Sequence, residues 1–184
     1  EYGSHNAGTT NMLRTMGLKA GLLTFAGDCS KCILAVVLVR VIFGKTHADI
    51  LPLLEFYAAA GTILGHNYPF YLGFKGGKGI AVTAAVVMSA ANPIMIPIGL
   101  AIFVAAVAVT RYVSVGSLLV AWYIPFNTVI FHYHDEKFFH MVFISLLFTM
   151  FAYYQHRQNI VRLINGNENK LWKSKSEKEA GANE

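Results

Sequence analysis

The sequence predicts an all-α polytopic membrane protein with six transmembrane helices, and three observations predict it. Of 184 residues, 55% are hydrophobic and only 14% charged, where a soluble domain carries about a quarter. The apolar residues come in blocks, with no charged side chain from Gly79 to Thr110. Lys and Arg gather in every second polar connection, the pattern of cytoplasmic loops. Mean hydropathy is +0.47. The expected organisation is one helix-bundle domain over residues 1–155. A cytoplasmic tail, 156–184, follows, and its start contributes to the site.

A crossing takes about 20 mostly apolar residues. Residues 22–43 and 50–65 supply the first two. The uncharged run 79–110 would make a helix of about 48 Å, too long for one crossing. Asn92-Pro93 and Pro97 interrupt it, and a residue before proline leaves the helical region. Two short helices joined by a tight turn are therefore expected. Residues 112–131 and 138–154 complete six.

The connections alternate in charge. Arg14 and Lys19 precede the first crossing, and Lys45 is offset by Asp49 after it. Lys75 and Lys78 come next, then an uncharged turn, then Arg111. Asp135 and Glu136 outweigh Lys137, and the tail carries Arg157, Arg162, Lys170, Lys173, Lys175 and Lys178. The basic connections are assigned to the cytoplasm. The chain begins at Glu1 inside a polar stretch with no Met or signal peptide, so N-terminal truncation is expected.

Some features have structural explanations. Cys29 and Cys32 lie in an apolar stretch and give no disulfide framework. Gly61-x-x-x-Gly65 reads as close helix contact. Asp28 and Lys31, three apart, suit an ion pair. His132-Tyr133-His134 lies on the opposite side and lacks a third metal ligand.

Four segments on the basic side carry donors and cations. Gly3–Arg14 packs Ser4, Asn6, Thr10 and Asn11 ahead of Arg14, whose planar fork suits an oxyanion. Gly65–Gly79 holds His66, Lys75, Gly76, Gly77, Lys78 and Gly79, where glycine lets backbone amides approach an anion. It is no nucleotide P-loop: Leu72 stands where that motif needs Gly, and Gly79 where it needs Ser or Thr. Arg111–Ser117 opens a helix with Arg111, Ser114 and Ser117. In the tail, His156 and Asn159 share one helical face while Arg157 turns away. Few carboxylates are near the proposed site, and none of the seven histidines has Asp five positions on.

Together these segments resemble the bacterial membrane acyl-phosphate:glycerol-3-phosphate acyltransferases, the PlsY family. Gly-Ser-x-Asn-x-Gly-x-Thr-Asn then Arg is matched by Gly3, Ser4, Asn6, Gly8, Thr10, Asn11 and Arg14. Gly-His-x-x-Pro and Phe-Lys-Gly-Gly-Lys-Gly are matched by Gly65, His66, Pro69 and Phe74–Gly79. The third motif resembles Arg111–Ser117. The tail matches through His156, Arg157, Asn159, Ile160, Arg162, Leu163, Gly166 and Glu168. His5 departs from the family's usual Gly, and the family has seven helices where this chain shows six.

The resemblance implies acyl transfer from acyl phosphate to the sn-1 hydroxyl of glycerol 3-phosphate. Ser4, Arg14, Lys78 and Ser114 or Ser117 would hold the acceptor's phosphate. His156 and Asn159 would orient its hydroxyls. Lys75, Lys78 and the Gly76–Gly79 amides would take the acyl phosphate. Membrane lipid and the soluble phosphate acyltransferase that makes the donor are the expected partners. No cofactor, metal or nucleic acid is expected. The alternative is a transporter of phosphate or a small phosphorylated metabolite, which predicts polar residues at the membrane midplane. By this topology, a reporter fused after Glu184 is active on the cytoplasmic side, and activity only on the outer side overturns it.

Overall fold

The computed structural model describes residues 6–90 and 92–172. Every regular element among them is helical: α1 Thr9–Phe43, α2 Leu51–Asn67, a short 3-10 turn Phe70–Leu72, α3 Ile80–Ala90, α4 Met95–Thr110, α5 Val113–Val120, α6 Tyr123–Phe131, α7 Phe138–Gln155 and α8 Arg157–Ile164. Three stretches are long and apolar enough to cross a membrane: Thr9–Phe43, Val113–Phe131 and Phe138–Gln155. Met95–Thr110 is apolar but shorter.

The expected polar loop before residue 22 is instead helical from Thr9. At about 1.5 Å per residue, α1 would run about 52 Å if straight, well beyond the apolar core of a bilayer. It does not run straight. Gly17 adopts φ 84 and ψ −177 inside the helix, a region only glycine occupies readily. A Cβ at Gly21 would lie 2.9 Å from the Leu13 Cβ. Eight residues of straight helix would hold these positions about 12 Å apart. The first two turns therefore double back over the rest of α1, carrying Asn11 and Arg14 with them.

The 79–110 run does divide as its prolines predict. Asn92 steadies the turn by accepting the Ile94 amide at 3.1 Å, and its own amide donates to Asn127 Oδ1 at 3.3 Å. The expected single crossing 112–131 breaks at Ala121–Trp122. Pro125 has no N–H to donate to the carbonyl four residues back, Ala121. That carbonyl accepts the Thr149 hydroxyl at 2.7 Å instead, which ties the break to α7.

The core lies where α2 packs on α1, α3 and α7. Cys32, Val36, Phe56, Ala59, Val82 and Ile124 are almost fully buried there, with Phe56 stacked on Phe148. Both cysteines are buried and unpaired. α4 packs on α5, and touches α3 only lightly, leaving a cleft between the two groups. At the end away from the cleft's polar mouth, Arg40 bridges three helices. It donates to Glu55 of α2 at 2.7 Å and to the Ser89 carbonyl of α3 at 2.9 Å.

The Gly61-x-x-x-Gly65 expectation fails: a Cβ at either position meets nothing within 4 Å. Close helix contacts are instead made at other glycines, among them Gly116, against Phe103 and Val107, and Gly21. Two substitutions separate the cases. Gly17→Ala forces a side chain into the glycine-only region and lowers stability by about 1–3 kcal/mol. Gly61→Ala is neutral or stabilising by up to about 1 kcal/mol, through helix propensity alone. Thermal unfolding in detergent reads both.

Candidate functional site

The first motif reaches the second through Asn6. Its Oδ1 accepts the Gly8 amide at 3.0 Å, and its Nδ2 donates to the Gly76 carbonyl at 3.3 Å. Ser4 lies outside the described residues. The Gly17 turn places Arg14 so that its guanidinium donates to the Asn169 carbonyl at 3.0 Å.

The glycine-rich loop folds against the C-terminal end of α2. Gly76 and Gly77 donate their amides to the carbonyls of Asn67 and His66, at 3.1 and 3.2 Å. A Cβ on Gly76 would overlap the His66 carbonyl, and one on Gly77 would overlap the His66 ring. These glycines therefore serve close packing. Their amides are committed, and the expected Gly76–Gly79 cradle contracts to the amides of Lys78 and Gly79. Gly79 itself sits at φ +80, which turns the chain so that Lys78 faces inward as α3 begins. Below the loop, His66 Nδ1 sits 2.5 Å from Lys31 Nζ and 3.2 Å from Asp28 Oδ1. The expected Asp28–Lys31 pair is present at 2.7 Å.

A buried carboxylate organises the rest. Gly166, at φ +70, reverses the chain after α8 and returns Glu168 to the bundle. Glu168 Oε1 accepts Asn159 Nδ2 at 2.7 Å and the Ser114 hydroxyl at 3.3 Å. Its Oε2 accepts Arg162 Nε at 2.8 Å. Asn159 Oδ1 in turn accepts Lys78 Nζ. Glu168 is 8% exposed. The expectation of few carboxylates at the site holds: among the described residues, Glu168 and Asp28 are the carboxylates that line the cavity. The signal for Glu168 lay in the sequence, as the first acid of a basic tail, just after a turn-forming glycine.

These groups surround one end of a cavity of about 620 Å³. Asn6, Thr10, Asn11, Arg14, His66 and Lys78 line it from one side, and Ser114, Ser117, His156, Asn159, Arg162 and Glu168 from the other. Its other end is apolar, walled by side chains such as Ala84, Met88, Leu100 and Phe103. Lys75, Gly76, Gly77 and Arg111 do not line it. Lys75 is exposed. Arg111 caps α4 in a left-handed turn, and its carbonyl accepts the Leu171 amide at 2.8 Å.

Two groups have displaced protonation. Burial lowers the Lys78 ammonium to about 8, and the neighbouring Arg162 and Arg14 add to the shift, while Glu168 opposes it. Burial lowers His156 to about 4. Its Nδ1 donates to the Ala152 carbonyl at 2.8 Å, so the neutral ring keeps Nε2 as an acceptor. Arg157 turns outward and stacks on Tyr154, its carbon 4.3 Å from the ring centroid. Among the described residues no three potential metal ligands cluster.

Helical spans beside a cation-lined, half-apolar cavity define the class, a membrane protein built to hold an anion next to something greasy. Residues 1–166 match the family described as glycerol-3-phosphate acyltransferase. The glycerol-3-phosphate acyltransferase of Clostridioides difficile (strain 630) is 39% identical, over 94% of this chain and 81% of that protein. That of Bacillus subtilis (strain 168) is 38% identical, over 93% and 82%. The crystal structure of PlsY, an integral membrane glycerol 3-phosphate acyltransferase, in its glycerol 3-phosphate form superposes with a TM-score of 0.77 at 29% identity. That match covers 92% of this chain and 80% of PlsY. The chain belongs to the glycerol-3-phosphate acyltransferase family. It is an integral membrane enzyme that acylates glycerol 3-phosphate in phospholipid synthesis.

The Lys78 shift sets an alkaline limit. An anion site that needs the ammonium loses it as pH rises through about 8, so kcat/KM for glycerol 3-phosphate falls above that pH. Glu168→Gln removes the group that raises the Lys78 pKa, and moves the limb to lower pH. Lys78→Arg, charged throughout, removes the limb. A pH profile of the three proteins checks this.

Proposed function

We propose that this enzyme takes its acyl group from an acyl phosphate and places it on the sn-1 hydroxyl. The products are 1-acylglycerol 3-phosphate and phosphate. The observation that carries the reading is the two-ended cavity. Both substrates bring phosphate to the cationic end, and only the donor has a chain for the apolar end. Its volume falls in the range of about 300–1,000 Å³ usual for ligand sites.

Arg14 and Lys78, with Ser4 and with Ser114 or Ser117, hold the acceptor phosphate. His156 Nε2 and Asn159 orient the glycerol hydroxyls, and Thr10, Asn11 and His66 add donors around them. Lys78 and the Gly79 amide receive the acyl phosphate, with the exposed Lys75 drawing it in. The chain crosses a bacterial inner membrane six times with this end toward the cytoplasm. The soluble phosphate acyltransferase that makes the donor delivers to that face.

The sn-1 oxygen attacks the acyl carbonyl carbon. A new C–O ester bond forms, the C–O bond to phosphate breaks, and its electron pair leaves on phosphate. The hydroxyl proton needs an acceptor. His156 at about 4 is a weak base at neutral pH. The Glu168 oxygens already accept from Asn159, Ser114 and Arg162. A substrate phosphate oxygen is the remaining acceptor, with His156 the runner-up. Orientation and electrostatic stabilisation then supply most of the rate.

Purified protein should release phosphate from acyl phosphate only when glycerol 3-phosphate is present, with 1-acylglycerol 3-phosphate formed in equal amount. Lys78→Ala should lose about 100-fold or more in kcat/KM. His156→Ala should raise KM for glycerol 3-phosphate. If it abolished turnover with unchanged acceptor affinity, the histidine, not the substrate, would be the base. Failure of folded protein to show acceptor-dependent release from acyl phosphate would overturn the donor assignment.

A further inference from the structure

The apolar half of the cavity has a definite inner end. Its lining follows the helices at regular steps. On α3 it runs through Ile80, Ala84 and Met88, four residues apart; on α5 and α6 it runs through Ser114, Ser117, Val120 and Tyr123, three apart. Both are the spacing of one helical face. Ser114 belongs to the polar end, and Tyr123 lies nine residues deeper, about 13 Å at helical rise.

Tyr123 stands at this end and is held firmly. Its ring is 5% exposed, and its hydroxyl donates to the Met95 carbonyl of α4. Gly99, one turn further along α4, lies under the ring. A Cβ there would come within 3.1–3.4 Å of the ring atoms. The ring is thus held at its tip and packed against a residue with no side chain, and both residues line the cavity.

We infer that the Tyr123 ring, seated on Gly99, sets the length of acyl chain the enzyme accepts. This rests on the acyl-transfer reading above. An acyl chain arriving from lipid gains little by moving into an equally apolar protein wall. Length discrimination therefore has to come from fit at the chain's end. A chain too long for the space must displace the ring or back out toward Phe25 and Leu100, which border the cavity and are exposed. Backing out carries the reacting carbonyl away from the hydroxyl bound at the polar end. The selection is therefore read in kcat/KM.

The test is competition between acyl phosphates of stepped length, lauroyl to stearoyl, in one micelle population, with glycerol 3-phosphate as acceptor. Tyr123→Ala should move the preferred donor to longer chains. The kcat/KM ratio of the next longer donor to the wild-type optimum should rise about fivefold or more, the scale of relieved overpacking. Gly99→Ala should push the ring into the cavity and move the preference to shorter chains. Tyr123→Phe keeps the ring and should keep the wild-type ratios. Should Tyr123→Ala not fold, Tyr123→Leu and Gly99→Ala still read the two directions. Unchanged ratios in the folded variants, with product still formed, overturn the length assignment alone. Absence of product from wild type with every donor overturns the acyl-transfer reading, and this inference with it.

Discussion

The site depends on one buried carboxylate held among cations. Arg14, Lys78 and Arg162 all face the polar end of the cavity. Three cations in a half-buried space repel one another and lose hydration, which is visible in the lowered Lys78 pKa. Glu168 offsets part of this by accepting Arg162 directly and by holding Asn159, which holds Lys78. The remaining positive field is what an arriving phosphate would neutralise. A buried carboxylate with its lone pairs occupied is costly to leave half satisfied, so Ser114, Asn159 and Arg162 are fixed together rather than singly. This links α5, α8 and the segment after it into one unit.

Everything else in the fold brings those partners within reach, and it does so by breaking helices. The Gly17 turn doubles the first helix back to present Arg14. The Gly79 turn starts α3 with Lys78 inward. The Gly166 turn returns Glu168. Each is a glycine in a left-handed or glycine-only conformation at the junction of a helix and a functional residue. The break at Ala121 is of another kind. There proline frees a carbonyl, and a neighbouring helix supplies the donor, so the bundle bends without leaving a buried polar group unpaired.

Much of this was legible in the sequence. Hydropathy and proline placement located α2, the α3–α4 pair and α7 because local physics decides them. The four donor-rich segments were found because cations and glycines are rare beside long apolar runs, and all four converge on the cavity through described residues. What escaped depends on tertiary contacts. Helix in the first motif, polar in composition, is set by a turn at Gly17 that lets Leu13 pack on Gly21. The Gly76 and Gly77 amides looked available because nothing in the sequence shows that the end of α2 lies against them. Glu168 and Arg162 were read as parts of a tail pattern, and only the reversal at Gly166 gives them a role in the cavity. Gly61 and Gly65 matched a packing motif, but among the described residues a Cβ on either meets nothing within 4 Å.

The cavity's two ends also constrain each other. The polar end is rigid, since its cations are tied to Glu168, to Asn159 and to the Asn169 carbonyl. At the apolar end stands a ring whose tip is bonded to Met95. In the proposed mechanism a donor spanning both would have its phosphate fixed at one end and its chain limited at the other, so the carbonyl between them would have little freedom left. That is the condition under which alignment with a bound hydroxyl accelerates transfer without a strong base. A neutral His156 fits this economy. In the proposed mechanism it would orient a hydroxyl through Nε2 without adding positive charge beside Arg14, Lys78 and Arg162.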